Sequence, residues 1–157
     1  MREFGRPDLL ACCASTRWAD AVLALAPYQN LGALTAAGEA ALAGLSWEDV
    51  LEALSAHPRI GDRAAGAGRE SSWSRAEQAG TEHADAAILE ALTQGNESYE
   101  RRFGHVYLIC ATGRPAGEML DLLLARLAND PDVERKIVRD ELGKIVKLRL
   151  AKLWEGR

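Results

Sequence analysis

Between Val138 and Leu153 the apolar residues of this chain return at helical spacing. At roughly 100° per residue, Val138, Leu142, Ile145, Val146 and Leu153 share one stripe, and Arg149 stands in the middle of it. Such a stripe needs apolar surface to cover it, so residues 132–154 read as a long helix packed on other helices. The same spacing recurs elsewhere in a chain rich in Ala and Leu and poor in β-branched and aromatic runs. The pattern specifies an all-α fold. With 157 residues, 48% of them hydrophobic, one compact multi-helix domain over 1–157 is expected.

Local signals divide the rest. Helices are expected at 7–13, 16–26 and 31–43. Ser46-Trp47-Glu48-Asp49 has the form of a capping box and opens a short helix that runs to His57-Pro58. Proline restricts the residue before it and offers no N–H, so His57 is held at a helix C-terminus. Residues 63–72 are small and Gly-containing, as in a mobile loop. A helix from Ser72 or Ser74, with a break allowed at Gly80, continues toward Leu92, and Gly95-Asn96 marks a turn. Further helices are expected at 97–102 and 115–128, with Asn129-Asp130-Pro131 leading into the last one.

Nineteen basic and 23 acidic residues are interspersed and leave a formal charge of −4, which argues against nucleic acid or an anionic membrane as partner. No apolar run approaches the roughly 20 residues of a membrane span, and no signal-peptide pattern opens the chain. A soluble cytoplasmic protein is expected. Cys12, Cys13 and Cys110 fit neither a disulfide framework nor zinc spacing, and His83 and His105 lack ligand-spaced partners, so no metal site is expected.

Four segments carry polar groups suited to chemistry. His57-Pro58-Arg59-Ile60-Gly61-Asp62 presents an imidazole. In Ser74-Arg75-Ala76-Glu77-Gln78, helical spacing puts Ser74, Glu77 and Gln78 on one face, either as a recognition surface or as a cap with solvated neighbours. Arg149 either snorkels, joins a structural ion pair, or holds a ligand anion. Arg126 lies beside the stripe of Leu120, Leu124 and Leu127, where exposure to solvent is easier. Phe103 to Ala111 is an apolar run between glycines. Its irregular end at Cys110-Ala111-Thr112-Gly113 leaves backbone groups unpaired by a helix, and Cys110 reads as a small buried hydrophobe.

The order and spacing of these elements resemble the 2-oxo-4-hydroxy-4-carboxy-5-ureidoimidazoline (OHCU) decarboxylase family of urate degradation. The likeness is carried by His57-Pro58, Ser74-x-x-Glu77-Gln78, Asn96-x-x-Tyr99-x-x-Arg102-Phe103-Gly104, Ile109-Cys110-Ala111, Arg126-Leu127-x-Asn129 and Lys144-Ile145-x-x-Leu148-Arg149-Leu150. It spans roughly residues 46–153. The resemblance implies an all-α, cofactor-free enzyme that converts OHCU to (S)-allantoin and carbon dioxide. His57 is then the acid/base, Glu77 its partner and substrate-orienting carboxylate, and Arg149 the anion anchor. Pro58, Ser74, Arg75, Ala76, Gln78 and the segment Ile109, Cys110, Ala111, Thr112 and Gly113 would contact substrate. A homodimer is implied as well. Whether His57 acts first as base or only as proton donor, and whether Arg149 or Arg126 takes the carboxylate, stays open at this level. The alternatives are a non-catalytic helical module that binds a ureido or purine-derived ligand, and a different small-molecule lyase or hydrolase.

Overall fold

The computed structural model describes residues 1–62, 66 and 68–156. Eight α-helices and a short 3-10 turn make up the regular structure, with no strand among the described residues. The all-α expectation holds. The helices belong to two compact units, one of Met1–Ala56 with the chain from Leu142 onward, the other of His57–Glu141.

The first unit contains α1 (Arg6–Cys12), α2 (Thr16–Ala24), α3 (Leu31–Ala43), α4 (Trp47–Leu54) and the last turns of α8 (Pro131–Trp154). Helices α2, α3 and α4 begin where a polar side chain satisfies one of their first amides. The Ser15 hydroxyl accepts from the Trp18 N–H at 3.2 Å, and the Asn30 side chain accepts from the Ala33 N–H at 2.8 Å. Ser46 and Asp49 form the expected reciprocal box. Trp18, Leu34, Val50, Leu142 and Leu150 are buried in this unit, and the Trp18 indole donates to the Gly38 carbonyl at 3.0 Å. A Cβ on Gly38 would lie 2.9 Å from Leu150 Cδ1, so glycine sets how closely that leucine packs.

The second unit holds α5 (Arg69–Glu77), the 3-10 turn Ala79–Thr81, α6 (Ala86–Phe103), α7 (Ala116–Arg126) and the start of α8. Its core gathers Ile60, Leu92, Tyr99, Tyr107, Ile109, Met119 and Leu123. Gly104, in the left-handed region at φ 80°, closes α6 and releases the chain into the irregular segment before α7.

Two boundaries differ from the sequence reading. Residues 63–65 and 67, within the expected loop at 63–72, lie outside the described residues, and α5 already begins at Arg69. The break allowed at Gly80 is present: the 3-10 turn Ala79–Thr81 separates α5 from α6, which starts at Ala86. Gly95-Asn96 is no turn: α6 runs through both residues and takes in the separate helix expected at 97–102. Tertiary packing overrides local propensity there. Gly95 is buried against α7, where a Cβ would lie 2.6 Å from Leu123 Cδ2, and Asn96 is buried beside it.

Candidate functional site

The His57 to Asp62 loop follows α4 after a two-residue turn. His57 and Pro58 are half-buried, Arg59 is exposed, and Ile60 is driven into the core of the second unit. Gly61, at φ 97°, makes the sharp bend that follows. Three side chains clamp this bend. Gln78 donates from Nε2 to the Arg59 carbonyl at 3.3 Å and accepts the Gly61 N–H at 2.9 Å. Asn96 donates from Nδ2 to the Ile60 carbonyl at 2.8 Å, and Glu100 holds the Arg59 guanidinium through bonds of 2.7 and 3.0 Å. The Asn96 Oδ1 atom is buried and has no hydrogen-bond partner among the described residues. A buried orphan acceptor of this kind costs on the order of 1–3 kcal/mol.

Helix α5 turns its polar face inward. Ser74, Glu77 and Gln78 are 4%, 8% and 8% exposed, so the three are not a solvated surface. Arg75 and Ala76 fall on the outer side: Arg75 is half-buried and donates to the Gly66 carbonyl at 3.0 Å, while Ala76 is exposed. A small pocket of about 170 Å³ lies beyond Gln78, lined by Gly61, Asp62, Arg75, Gln78, Thr81 and Glu82.

Ile109, Cys110 and Ala111 are buried, and Thr112 and Gly113 emerge at the surface. The backbone of Cys110 is not paired within a helix, as read, and side chains take its two groups. Its N–H donates to Glu141 Oε1 at 3.1 Å, and its carbonyl accepts from Arg114 Nε at 3.0 Å. The thiol is pushed above its ordinary value by burial, and the carboxylates of Glu141 and Glu77 press the same way against the Thr112 backbone hydrogen bond and Arg114. Cys110 therefore stays a thiol near neutrality, as a small buried hydrophobe should. Glu77 and Glu141 also both lie within electrostatic reach of this segment.

Gly80 brings the α5 side and the 110–114 segment together. A Cβ at Gly80 would stand 2.0 Å from the Arg114 carbonyl oxygen, a backbone atom that no rotamer change can move aside. Gly80→Ala is expected to lower the unfolding free energy by about 3 kcal/mol, the upper end for overpacking. Urea titration of the two proteins checks this, and an unchanged midpoint would contradict the contact.

Beneath this segment lies a buried polar network that sequence reasoning missed. Arg126 does not sit in solvent as expected. It is 6% exposed, because α7 buries Ala116, Met119, Leu123 and Arg126 while Leu124 faces outward. Its guanidinium donates to the Leu108 carbonyl at 2.7 Å and reaches Glu134 from Nε at 2.9 Å and from Nη2 at 2.6 Å. The Tyr99 hydroxyl also donates to Glu134, Asn129 Nδ2 adds a bond of 3.2 Å, and the guanidinium lies 4.7 Å from the Tyr107 ring centroid. Burial opposes the charge on Arg126, but hydrogen bonds and attraction from Glu134 prevail and raise its pKa. Arg126 is thus committed to holding the backbone before Ile109.

Helix α8 contributes three charged residues to buried positions: Glu134 at 0%, Glu141 at 6% and Arg149 at 1% exposure. Only Arg149 stood out in the sequence. Glu134 and Glu141, seven residues apart, lie along the same face; extending the apolar stripe toward Pro131 would have found Glu134, and widening it at Val138 would have found Glu141. In the first unit, Arg149 Nη1 donates to the Ala11 carbonyl at 3.0 Å. Its burial matches the reading of a guanidinium in a core stripe. Among the described residues, no group of three or more His, Cys, Asp or Glu is arranged to hold a metal ion, and no helix is long and apolar enough to cross a membrane.

Comparison with known proteins adds independent findings. The OHCU decarboxylase family model matches residues 5–151. The uric acid degradation bifunctional protein TTL of Arabidopsis thaliana is 33% identical over 160 residues, covering 99% of this chain and 49% of that protein. The 2-oxo-4-hydroxy-4-carboxy-5-ureidoimidazoline decarboxylase of Amia calva is 36% identical over 96 residues, covering 60% of this chain and 55% of that protein. The chain thus spans about half the length of these two curated relatives. A crystal structure of OHCU decarboxylase in the presence of (S)-allantoin superposes with a TM-score of 0.82 at 31% identity, covering 96% of this chain and 99% of that one.

Proposed function

The chain belongs to the OHCU decarboxylase family, and from that membership we propose that it decarboxylates OHCU to (S)-allantoin and carbon dioxide as a carboxy-lyase of urate degradation. The observation that carries this reading is the tie between Gln78 and the His57-Pro58 loop. One hydrogen-bonded assembly contains the loop bearing the imidazole and the helix end bearing the buried Glu77 carboxylate.

In this reading the bond between the ring carbon and the carboxylate breaks, carbon dioxide leaves, and the electron pair passes into the substrate's adjacent imine and carbonyl system. The substrate is its own electron sink. The protein's task is to orient it and to deliver a proton to one face. His57 supplies that proton, since an imidazole with a reference pKa of about 6.5 exchanges protons near neutrality. Glu77 sets the tautomer of His57 and orients the substrate. Ser74 and Gln78, with Pro58 beside them, bound the site, and the Ile109 to Gly113 segment presents backbone groups at Thr112 and Gly113.

Arg149 is the proposed carboxylate anchor, a role for which Arg126 is poorly suited because Glu134 and Leu108 already engage it. A salt bridge to the leaving carboxylate stabilises the ground state, so Arg149 orients the group more than it drives its departure. Arg149→Lys, which lacks the planar fork, is expected to raise KM about tenfold while kcat changes less. Steady-state kinetics decide, and an unchanged KM would remove the anchor role.

The reading takes residues 1–157 as one decarboxylase-type domain, consistent with a family match that runs through both units. A cytoplasmic homodimer without a cofactor is proposed with it. The direct test follows OHCU, generated from urate with uricase and hydroxyisourate hydrolase, as it decays with and without the protein. Faster loss of OHCU with matching carbon dioxide release supports the proposal. Binding of (S)-allantoin without faster decay would favour a non-catalytic binding module.

A further inference from the structure

Asn96 stands outside the residues expected to touch substrate, and by local sequence it should have marked a turn. Instead it lies within α6, 3% exposed, with Nδ2 on the Ile60 carbonyl and Oδ1 without a partner among the described residues. A leucine of similar size would fill the same space and remove the unpaired Oδ1, while the Ile60 carbonyl would lose its Nδ2 donor, so the two effects on stability offset. Stability alone therefore gives little reason for an asparagine here. What the asparagine supplies is a donor aimed at one carbonyl, three residues beyond His57.

We infer that Asn96 is a positioning residue for His57, acting through the backbone of residues 58–61. The inference rests on the reading of His57 as the proton-handling group. Glu100, one helical turn along α6, grips the Arg59 side chain, and Gln78 takes the Arg59 carbonyl and the Gly61 N–H. The Asp62 N–H closes the turn on the Arg59 carbonyl at 3.0 Å. Asn96 fixes the carbonyl in the middle of this bend.

Between that carbonyl and the imidazole, the Pro58 ring locks one backbone dihedral and restricts the conformation of His57 itself. Few soft torsions remain to absorb a shift, so a displaced Ile60 carbonyl moves the imidazole. Proton transfer depends steeply on placement, and an error of about 1 Å can cost as much as 10²-fold in rate.

The test compares the wild-type chain with Asn96→Leu and Asn96→Ala by steady-state OHCU kinetics, (S)-allantoin titration calorimetry, thermal unfolding and the 15N signals of the His57 ring. Asn96→Leu is expected to keep the thermal midpoint, the KM and the (S)-allantoin affinity near wild type. Its kcat should fall about 10- to 100-fold, with shifted or broadened His57 signals. Asn96→Ala, with a strong helix former at the position, gives the same reading if the leucine variant does not fold. A folded variant with wild-type kcat and unmoved His57 signals would overturn the inference, as would a loss confined to stability or KM. A wild-type chain that does not accelerate OHCU decay would instead sink the decarboxylase reading, before any variant is compared.

Discussion

His57→Asn is expected to lower kcat for OHCU by about 10²- to 10⁴-fold, the range over which a positioned general acid or base contributes. Asparagine keeps a polar side chain of similar reach but cannot exchange a proton near neutrality. The loop itself should survive, because its bend is held from Gln78, Asn96 and Glu100 and not by the imidazole alone. The helical circular dichroism signal and the thermal midpoint should therefore stay close to wild type. KM should change less than kcat, since the lost interaction is made mainly as the proton moves. Stopped-flow decay of OHCU gives the rate, and far-ultraviolet dichroism reports the fold. An unfolded variant would make His57 structural, and an active folded one would move proton transfer to another group.

The second large effect is on stability. Arg126→Ala is expected to destabilise the chain by about 3–5 kcal/mol, because it leaves the Glu134 carboxylate buried without its cation. The thermal midpoint should fall by about 10 °C or more. Replacing both partners by apolar residues, as in Arg126→Met with Glu134→Leu, should recover much of that loss. The unpaired charge is the costly element, more than the absence of the pair. If the single and double variants are equally unstable, the network's value lies elsewhere, for example in the bond to the Leu108 carbonyl.

The same network gives an alkaline signature. Burial, with Glu134 adding to it, raises the pKa of Tyr99 far above its ordinary 10.0, and burial raises that of Tyr107. Both hydroxyls are held neutral in the folded chain while the unfolded chain ionises them. Their contribution is complete below pH 10 and is lost as pH rises beyond it. Denaturant midpoints measured upward from pH 9 should fall in the wild type once that value is passed.

Much of the fold was legible because it rests on periodicity. The α8 stripe and the Ser46 box are local patterns, and both appear as read. Gly95-Asn96 failed because turn propensity was overridden by contacts with Leu123 and Ile60, which no local window contains. The candidate site was legible as a set of residue types but not as an arrangement. Gln78 and Asn96 grip loop atoms 17 to 36 positions away in sequence, and a side-chain amide that serves a distant backbone looks like any other. Arg126 was misjudged by about one residue of helical phase: the buried row on α7 passes through Leu123, not Leu124. Its partner Glu134 lies beyond the Asn129–Pro131 turn, where an intrahelical search for ion pairs does not reach.

In the proposed reaction carbon dioxide leaves OHCU and the incoming proton arrives on one face. The most direct measurement follows the optical activity of allantoin as OHCU is generated from urate, with the protein, with its His57→Asn variant and with neither. A rapid rise of the (S) enantiomer is expected with the wild-type chain alone, with the variant close to the uncatalysed trace. A wild-type trace no faster and no more enantiomerically enriched than the control would contradict it.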